Sequence, residues 1–312
     1  MDARTRGLVT TPERDERVAA EEKRATAGVV VGVDGSKKAL SAVRWAAVEA
    51  DNRQLPLHLV HALDPADATN ALPSAVSCSL DSAKTSLREA REVALSTRSG
   101  LDVDCVLAYG PPADVLVGTG HPSMICVGVS GSKAPHPGHH ASLNTELILA
   151  ADCPVTLFRR DPVDSGWVVA EIGAEPHADD IIRMAVSESV LRDLSLWLLL
   201  DPPGDADQVG ISRTELRARV QIVLERWRRV HAGLDCRVVP EVWGRDDFLM
   251  HHKSRIALFI APPCHDHEIG RILHPAAGAA LAILDSPVML YVEPGTPGRP
   301  TAAGRDVHPF WP

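Results

Sequence analysis

Aromatic side chains are scarce in this chain, 4% of 312 residues, so little is available for the stacking platform that holds single-stranded nucleic acid. Positive charge is also in deficit. The 32 Lys and Arg stand against 41 Asp and Glu, a net charge of −9 that offers no general field to nucleic acid or anionic lipid. No apolar run approaches the roughly 18 residues that span a bilayer. Neither nucleic acid nor a membrane is therefore expected as a partner. Residues 1–27 lack an apolar segment and carry Glu13-Arg14-Asp15-Glu16-Arg17 and Glu21-Glu22-Lys23-Arg24, which reads as a charged, disordered tail and not as a secretory signal. Cys78, Cys105, Cys126, Cys153, Cys236 and Cys264 show no CxxC spacing, as expected of a reduced, cytoplasmic protein.

What the chain does contain is a long internal repeat, the mark of a duplicated structural unit. Val29 to His61 lies on Val168 to Leu200 when moved 139 positions, which carries Arg44 onto Arg183. Ile125 to Val155 lies on Leu258 to Val288 when moved 133 positions. The β-branched run Val29–Val33 predicts a strand buried on both faces of a parallel sheet. Ala39, Val43, Ala46, Ala47 and Ala50 follow at helical spacing. Further strands are expected at Leu57–Ala62, Val103–Tyr109, Met124–Val129 and Val155–Phe158, with helices at 80–99, 112–117 and 142–151 and a loop over 64–79. Alternating strands and helices predict a doubly wound α/β sheet. The second copy repeats the plan, its best helix at 214–230 with Leu216, Val220, Val223, Leu224 and Trp227 on the buried stripe. The expected division is a tail (1–27), a first domain (28–160), a second (166–293) and a Pro/Gly-rich tail (294–312).

Ligands of open parallel sheets collect outside the carboxyl ends of the strands, where strand order reverses. Two loops of the first copy qualify: Asp34-Gly35-Ser36, and the segment from Gly128 to Ser142. Gly128 and Gly131 would let the backbone approach a ligand. Ser142, at the start of a helix, could offer its N–H and hydroxyl to a phosphate. Lys133 could neutralise charge, and Asp34 could accept from ribose hydroxyls or hold Mg²⁺ with bound phosphates. The loop is neither a GK[ST] phosphate loop nor a GxGxxG fingerprint. The plainer alternative is that these residues simply form tight βα turns. His136, His139-His140 and His265-Asp266-His267 lack structural zinc spacing and read as polar loops. His251-His252 reads as a surface pair near a helix end, and Lys37-Lys38 opposes the helix dipole, as a solvated pair in the first reading or an aid to an anion in the second.

Taken together, Val30-Val31-Gly32-Val33-Asp34-Gly35-Ser36, Ala42-Val43-Arg44-Trp45-Ala46-Ala47, Leu57-His58-Leu59-Val60-His61-Ala62, the Gly-x2-Gly-x9-Gly-Ser/Thr spacing and Cys153-Pro154-Val155 resemble the universal stress protein family. The likeness covers about 28–160 well and 166–292 weakly, as a tandem second domain. It implies two Rossmann-like domains of the adenine nucleotide alpha hydrolase-like type, each an open parallel five-stranded sheet of order 3-2-1-4-5 with helices on both faces. It also implies a cytoplasmic stress-response protein, ATP-binding or not, that dimerises, often through its last strand. Under this resemblance Asp34, Gly35 and Ser36 lie at the ribose or adenine side and Ala62 meets adenine through its backbone. Gly128, Gly131, Ser132, Lys133, Ala141 and Ser142 surround the phosphates of ATP, with Mg²⁺ beside them.

Ala141 stands where the family has glycine. A left-handed conformation there would cost roughly 1–2 kcal/mol, which weakens binding by about five- to thirty-fold. In the second copy Gly173 replaces Asp34, while Ala261, Cys264, His274 and Pro275 replace Gly128, Gly131, Ala141 and Ser142. Pro275 has no N–H for a phosphate, so no nucleotide is expected there. The leading expectation is a regulatory protein with one weakened adenine-nucleotide site, paired within itself or as a homodimer through Val155–Phe158 and Val288–Val292. The alternative is an interaction module with both sites vestigial. A slow ATPase or nucleotidyl transferase would need a general base or metal pair that the sequence does not display, so no catalytic residue is assigned.

Overall fold

The computed structural model describes residues 27–63, 73–129, 143–163, 165–173, 177–200, 212–240, 242–262 and 275–292. Strand β1 (Ala27–Gly32) leads into α1 (Lys37–Arg53), then β2 (Leu57–Leu63), α2 (Pro73–Thr97) and β3 (Val103–Tyr109). Next come α3 (Pro112–Gly118), β4 (His121–Gly128), α4 (Leu143–Ala150) and β5 (Val155–Phe158). The second half runs β6 (Trp167–Ile172), α5 (Ala178–Arg192), β7 (Ser195–Leu200), α6 (Arg213–Val230) and β8 (Cys236–Val238). It finishes with α7 (Arg245–His252), β9 (Ile256–Ala261), α8 (Pro275–Ile283) and β10 (Val288–Leu290).

Among the described residues all ten strands join one sheet of order β3-β2-β1-β4-β5-β10-β9-β6-β7-β8. Each half is parallel and has the order 3-2-1-4-5 in its own strand count. Side-chain alternation then divides the core in two. Val29 and Val31 join α1, α2, α5 and α6 on one face. Val30 joins α3, α4, α7 and α8 on the other. Both layers continue across the junction between halves.

Local chemistry explains most element ends. Ser36 caps α1 by accepting from the Ala39 N–H, at 3.2 Å. Ser212 and Glu215 form a reciprocal capping box at the start of α6. The expected loop over 64–79 is corrected at its end, since α2 already begins at Pro73. Proline is at home in a first helical turn, where its missing N–H costs nothing. Strand β4 also starts earlier than expected, at His121, and pairs with β1 through a register shift at Gly28/Val29.

The halves meet at β5 and β10, the only antiparallel pairing in the described sheet. Thr156 lies opposite Met289, its own counterpart 133 positions on, and Val155 and Leu157 face Leu290 and Val288. A pseudo-twofold axis therefore passes through the Thr156–Met289 pair. Beside it lie four ionic side chains related by the same axis. Arg53 bridges Glu49 and Glu188, while Arg192 bridges Glu188 and Glu49. Both carboxylates are fully buried. The Arg192 guanidinium also lies 4.3 Å above the Trp45 ring. At the rim of the junction, Arg159 donates to the Leu281 carbonyl at the end of α8 (2.8 Å), and Arg160 pairs with Asp285.

Candidate functional site at the carboxyl edge of the first half-sheet

Helices α1 and α2 cover one face and α3 and α4 the other, so the chain reverses its winding between β1 and β4. The first candidate loop leaves β1 at this reversal. Asp34 is exposed, and its Oδ1 accepts the Ser36 N–H at 2.9 Å, an Asx turn that aims the chain into α1. Gly35 has φ +79°, and a Cβ there would lie 2.7 Å from the Ser86 hydroxyl oxygen on α2. Both conformation and space therefore require glycine. Ser36 spends its hydroxyl on the helix cap.

Gly128 closes β4 on the other side of the reversal. A Cβ there would come within 2.9 Å of the Lys38 Cβ and 3.0 Å of the Ala39 nitrogen. The close approach this glycine permits is thus with the first turn of α1, a packing reason that the sequence did not disclose. Lys38 corrects the expectation of a solvated pair. It is half-buried and its Nζ donates to the Val129 carbonyl at 2.7 Å, while Lys37 stays exposed. Ala62, near the end of β2, is half-buried and aligned with Ala108 of β3. Gly131, Ser132, Lys133, Ala141 and Ser142 lie outside the described residues, as do His136, His139, His140, His265 and His267.

His61, next to Ala62 on β2, belongs to this neighbourhood although sequence reasoning passed over it. Burial pulls its pKa below the usual histidine value, and the Asp34 carboxylate and the Val33 backbone oppose that shift. Desolvation wins, so the ring is neutral at pH 7. The signal was available: a polar residue late in an apolar strand, one position from a residue already placed at the site.

The matching edge of the second half is differently built. Gly173 is buried where Asp34 is exposed, and Ala261 is fully buried where Gly128 closes its strand. Glu171 occupies the counterpart position of Gly32. It is fully buried, and Arg245 at the start of α7 approaches it at 3.3 Å. A carboxylate inside the reversal point opposes a phosphate, and this residue too was missed. A charge inside the apolar run Trp167–Ile172 was its sequence signature. The seam quartet was also legible in principle, because Glu-x3-Arg occurs in both copies 139 positions apart.

Comparison with known proteins places these observations in a family. Residues 28–159 match the family model described as the universal stress protein family. The universal stress protein Rv2624c of Mycobacterium tuberculosis is 28% identical over 253 residues, covering 80% of this chain and 90% of its own. Rv2028c of the same organism is 29% identical over 207 residues, covering 64% of this chain and 72% of its own. Among solved structures, a universal stress protein from Archaeoglobus fulgidus superposes with a TM-score of 0.67 at 12% identity, covering 88% of this chain and 98% of that one. That likeness establishes the fold alone. Sequence matches spanning both halves, with the doubly wound topology repeated in each, lead to one conclusion: residues 28–159 are a universal stress protein domain, and the chain as a whole is similar to proteins of that family.

Proposed function

We propose that this protein is a regulatory adenine-nucleotide binder with a single site, at the carboxyl edge of the first half. The observation that carries the proposal is the asymmetry of the two strand reversals. The first presents an exposed Asp34 on a glycine turn beside the small Ala62, and the second holds a buried Gly173 and a buried Glu171. In this reading the free Oδ2 of Asp34 accepts from the ribose, Ala62 meets the base through its backbone, and the N-terminal turn of α1 lies near the phosphates. Gly131, Ser132, Lys133 and Ser142 would complete the phosphate contacts, with Ala141 weakening them. Mg²⁺ would enter with ATP. The protein's role is binding and signalling of occupancy, with no catalytic group assigned.

Isothermal titration with ATP tests this directly. The expected result is saturable binding that Asp34→Ala weakens at least tenfold while the melting temperature without ligand stays within about 2 °C of the parent. No heat of binding at millimolar ATP would remove the proposal. One observation favours the second reading, a surface-acting module with both sites vestigial: Lys38 is committed to the Val129 carbonyl and is not free to meet a phosphate. An unchanged melting temperature in millimolar ATP would select that reading.

A further inference from the structure

Three of the six tryptophans gather in one place in the second half, around α7. Trp167 and Trp197 have ring centroids 4.7 Å apart, and Trp197 lies 6.2 Å from Phe248. Trp243, just before α7, lies 5.0 Å from His251 and 5.5 Å from His252. The first half has nothing comparable at the corresponding positions, which hold Gly28, His58, Gly110, Val115, Gly118 and Thr119. Phe248 and Leu249 anchor α7 in the core. The outer side of the cluster is not needed for that purpose. Val242 is 84% and Met250 55% exposed, and with Trp243, Asp247 and His251 they line a shallow hollow of about 490 Å³.

The charge around this hollow limits what can occupy it. Residues 241–252 carry Glu241, Asp246 and Asp247 against Arg245 alone, and Arg245 is engaged by Glu171 and Asp246. Asp247 is exposed and makes no hydrogen bond or ion pair with the described residues. The basic residues beyond the far end of α7 are Lys253 and Arg255, and Arg255 is held over the Trp167 ring. A tryptophan face beside an unpaired carboxylate suits a cation. Exposed Val242 and Met250 suit an aliphatic neighbour, and a half-buried Trp beside an exposed Met has the composition of an interface centre. The chain's net charge of −9 steers a basic partner toward it and an acidic one away.

We propose that the outer face of α7, centred on Trp243, is a docking site for a partner-protein segment in which a Lys or Arg adjoins an aliphatic residue. The cation would lie between the Trp243 ring and the Asp247 carboxylate, and the aliphatic side chain would lie against Val242 and Met250. This surface is separate from the nucleotide crevice, so the proposal stands or falls independently of that reading.

The test is selection of phage-displayed random dodecapeptides on the full chain, followed by fluorescence-anisotropy titration of the selected peptides. The expected result is enrichment of Lys or Arg next to Leu, Ile or Val, with affinity falling as salt rises. Trp243→Ala should weaken binding at least tenfold. Asp247→Asn, a surface change that leaves the core untouched, should weaken it three- to tenfold, and Asp34→Ala should leave it unchanged. Selected peptides without basic residues, or an affinity indifferent to Asp247→Asn, would overturn the proposal. Sedimentation showing self-association of the full chain that Trp243→Ala abolishes would overturn it in favour of a second copy as occupant.

Discussion

Removing one guanidinium from the seam would leave two buried carboxylates sharing one cation. An uncompensated buried charge typically costs about 3–5 kcal/mol, so Arg192→Met is expected to lower unfolding free energy by about that amount in urea denaturation. Replacing all four groups together by apolar residues of similar volume should cost far less, because the desolvation of every charge disappears with the charges. Equal losses for the single and the quadruple variant would contradict this account. Burial and the neighbouring Glu49 carboxylate push Glu188 up to about 7, against the pull of both arginines. The folded state then binds a proton that the unfolded state has lost between the ordinary carboxylate value near 4.5 and about 7. This contribution favours folding at acid pH and is lost as pH rises through 7. Glu188→Gln should therefore destabilise more near pH 5 than near pH 8, by a difference above about 1 kcal/mol, and a penalty that grows with pH would contradict the assignment. None of these four residues was read from the sequence. Their Glu-x3-Arg pattern recurs in both copies, but only the packing of α1 against α5 shows that the four groups meet.

At the scale of elements, pattern and structure agree where periodicity is strong. The β-branched run Val29–Val33 and the alanine stripe of α1 gave β1 and α1, because a fully buried strand and a one-sided helix leave distinct spacings. Boundaries agreed less well at two prolines. Pro73 opens a helix in a segment read as loop, and Pro122 lies inside β4. Strand β5 was expected at Val155–Phe158 and found there. Its pairing with β10 has one consequence for stability. Thr156 is fully buried on the pseudo-twofold axis with a hydroxyl that has no hydrogen-bond partner among the described residues. Thr156→Val retains the shape and removes the unsatisfied group, so it is expected to stabilise by about 1 kcal/mol. A lowered melting temperature would show that the hydroxyl is satisfied in solution.

At the scale of the whole molecule, the internal repeat gives one chain two reversal points, and they differ in content. The shared sheet and the symmetric seam relate the two halves by a pseudo-twofold axis inside a single polypeptide, and within that frame the second half has Gly173 where the first has Asp34. It holds Glu171 at the strand reversal and an aromatic cluster around α7. Half of the candidate site was legible from the sequence. Asp34, Gly35, Ser36 and Gly128 follow from strand ends, which periodicity locates well, whereas Ala62 entered only through the resemblance to the universal stress protein family. The intramolecular role of Gly128 and Lys38 was not legible, because it depends on how α1 lies across β4. The central claim is one nucleotide site per chain, formed by the first half. Native mass spectrometry of the full chain in ATP counts it directly. The account predicts at most one ATP per chain, absent in Asp34→Ala. Two ATP per chain, or one that persists in Asp34→Ala, would contradict it.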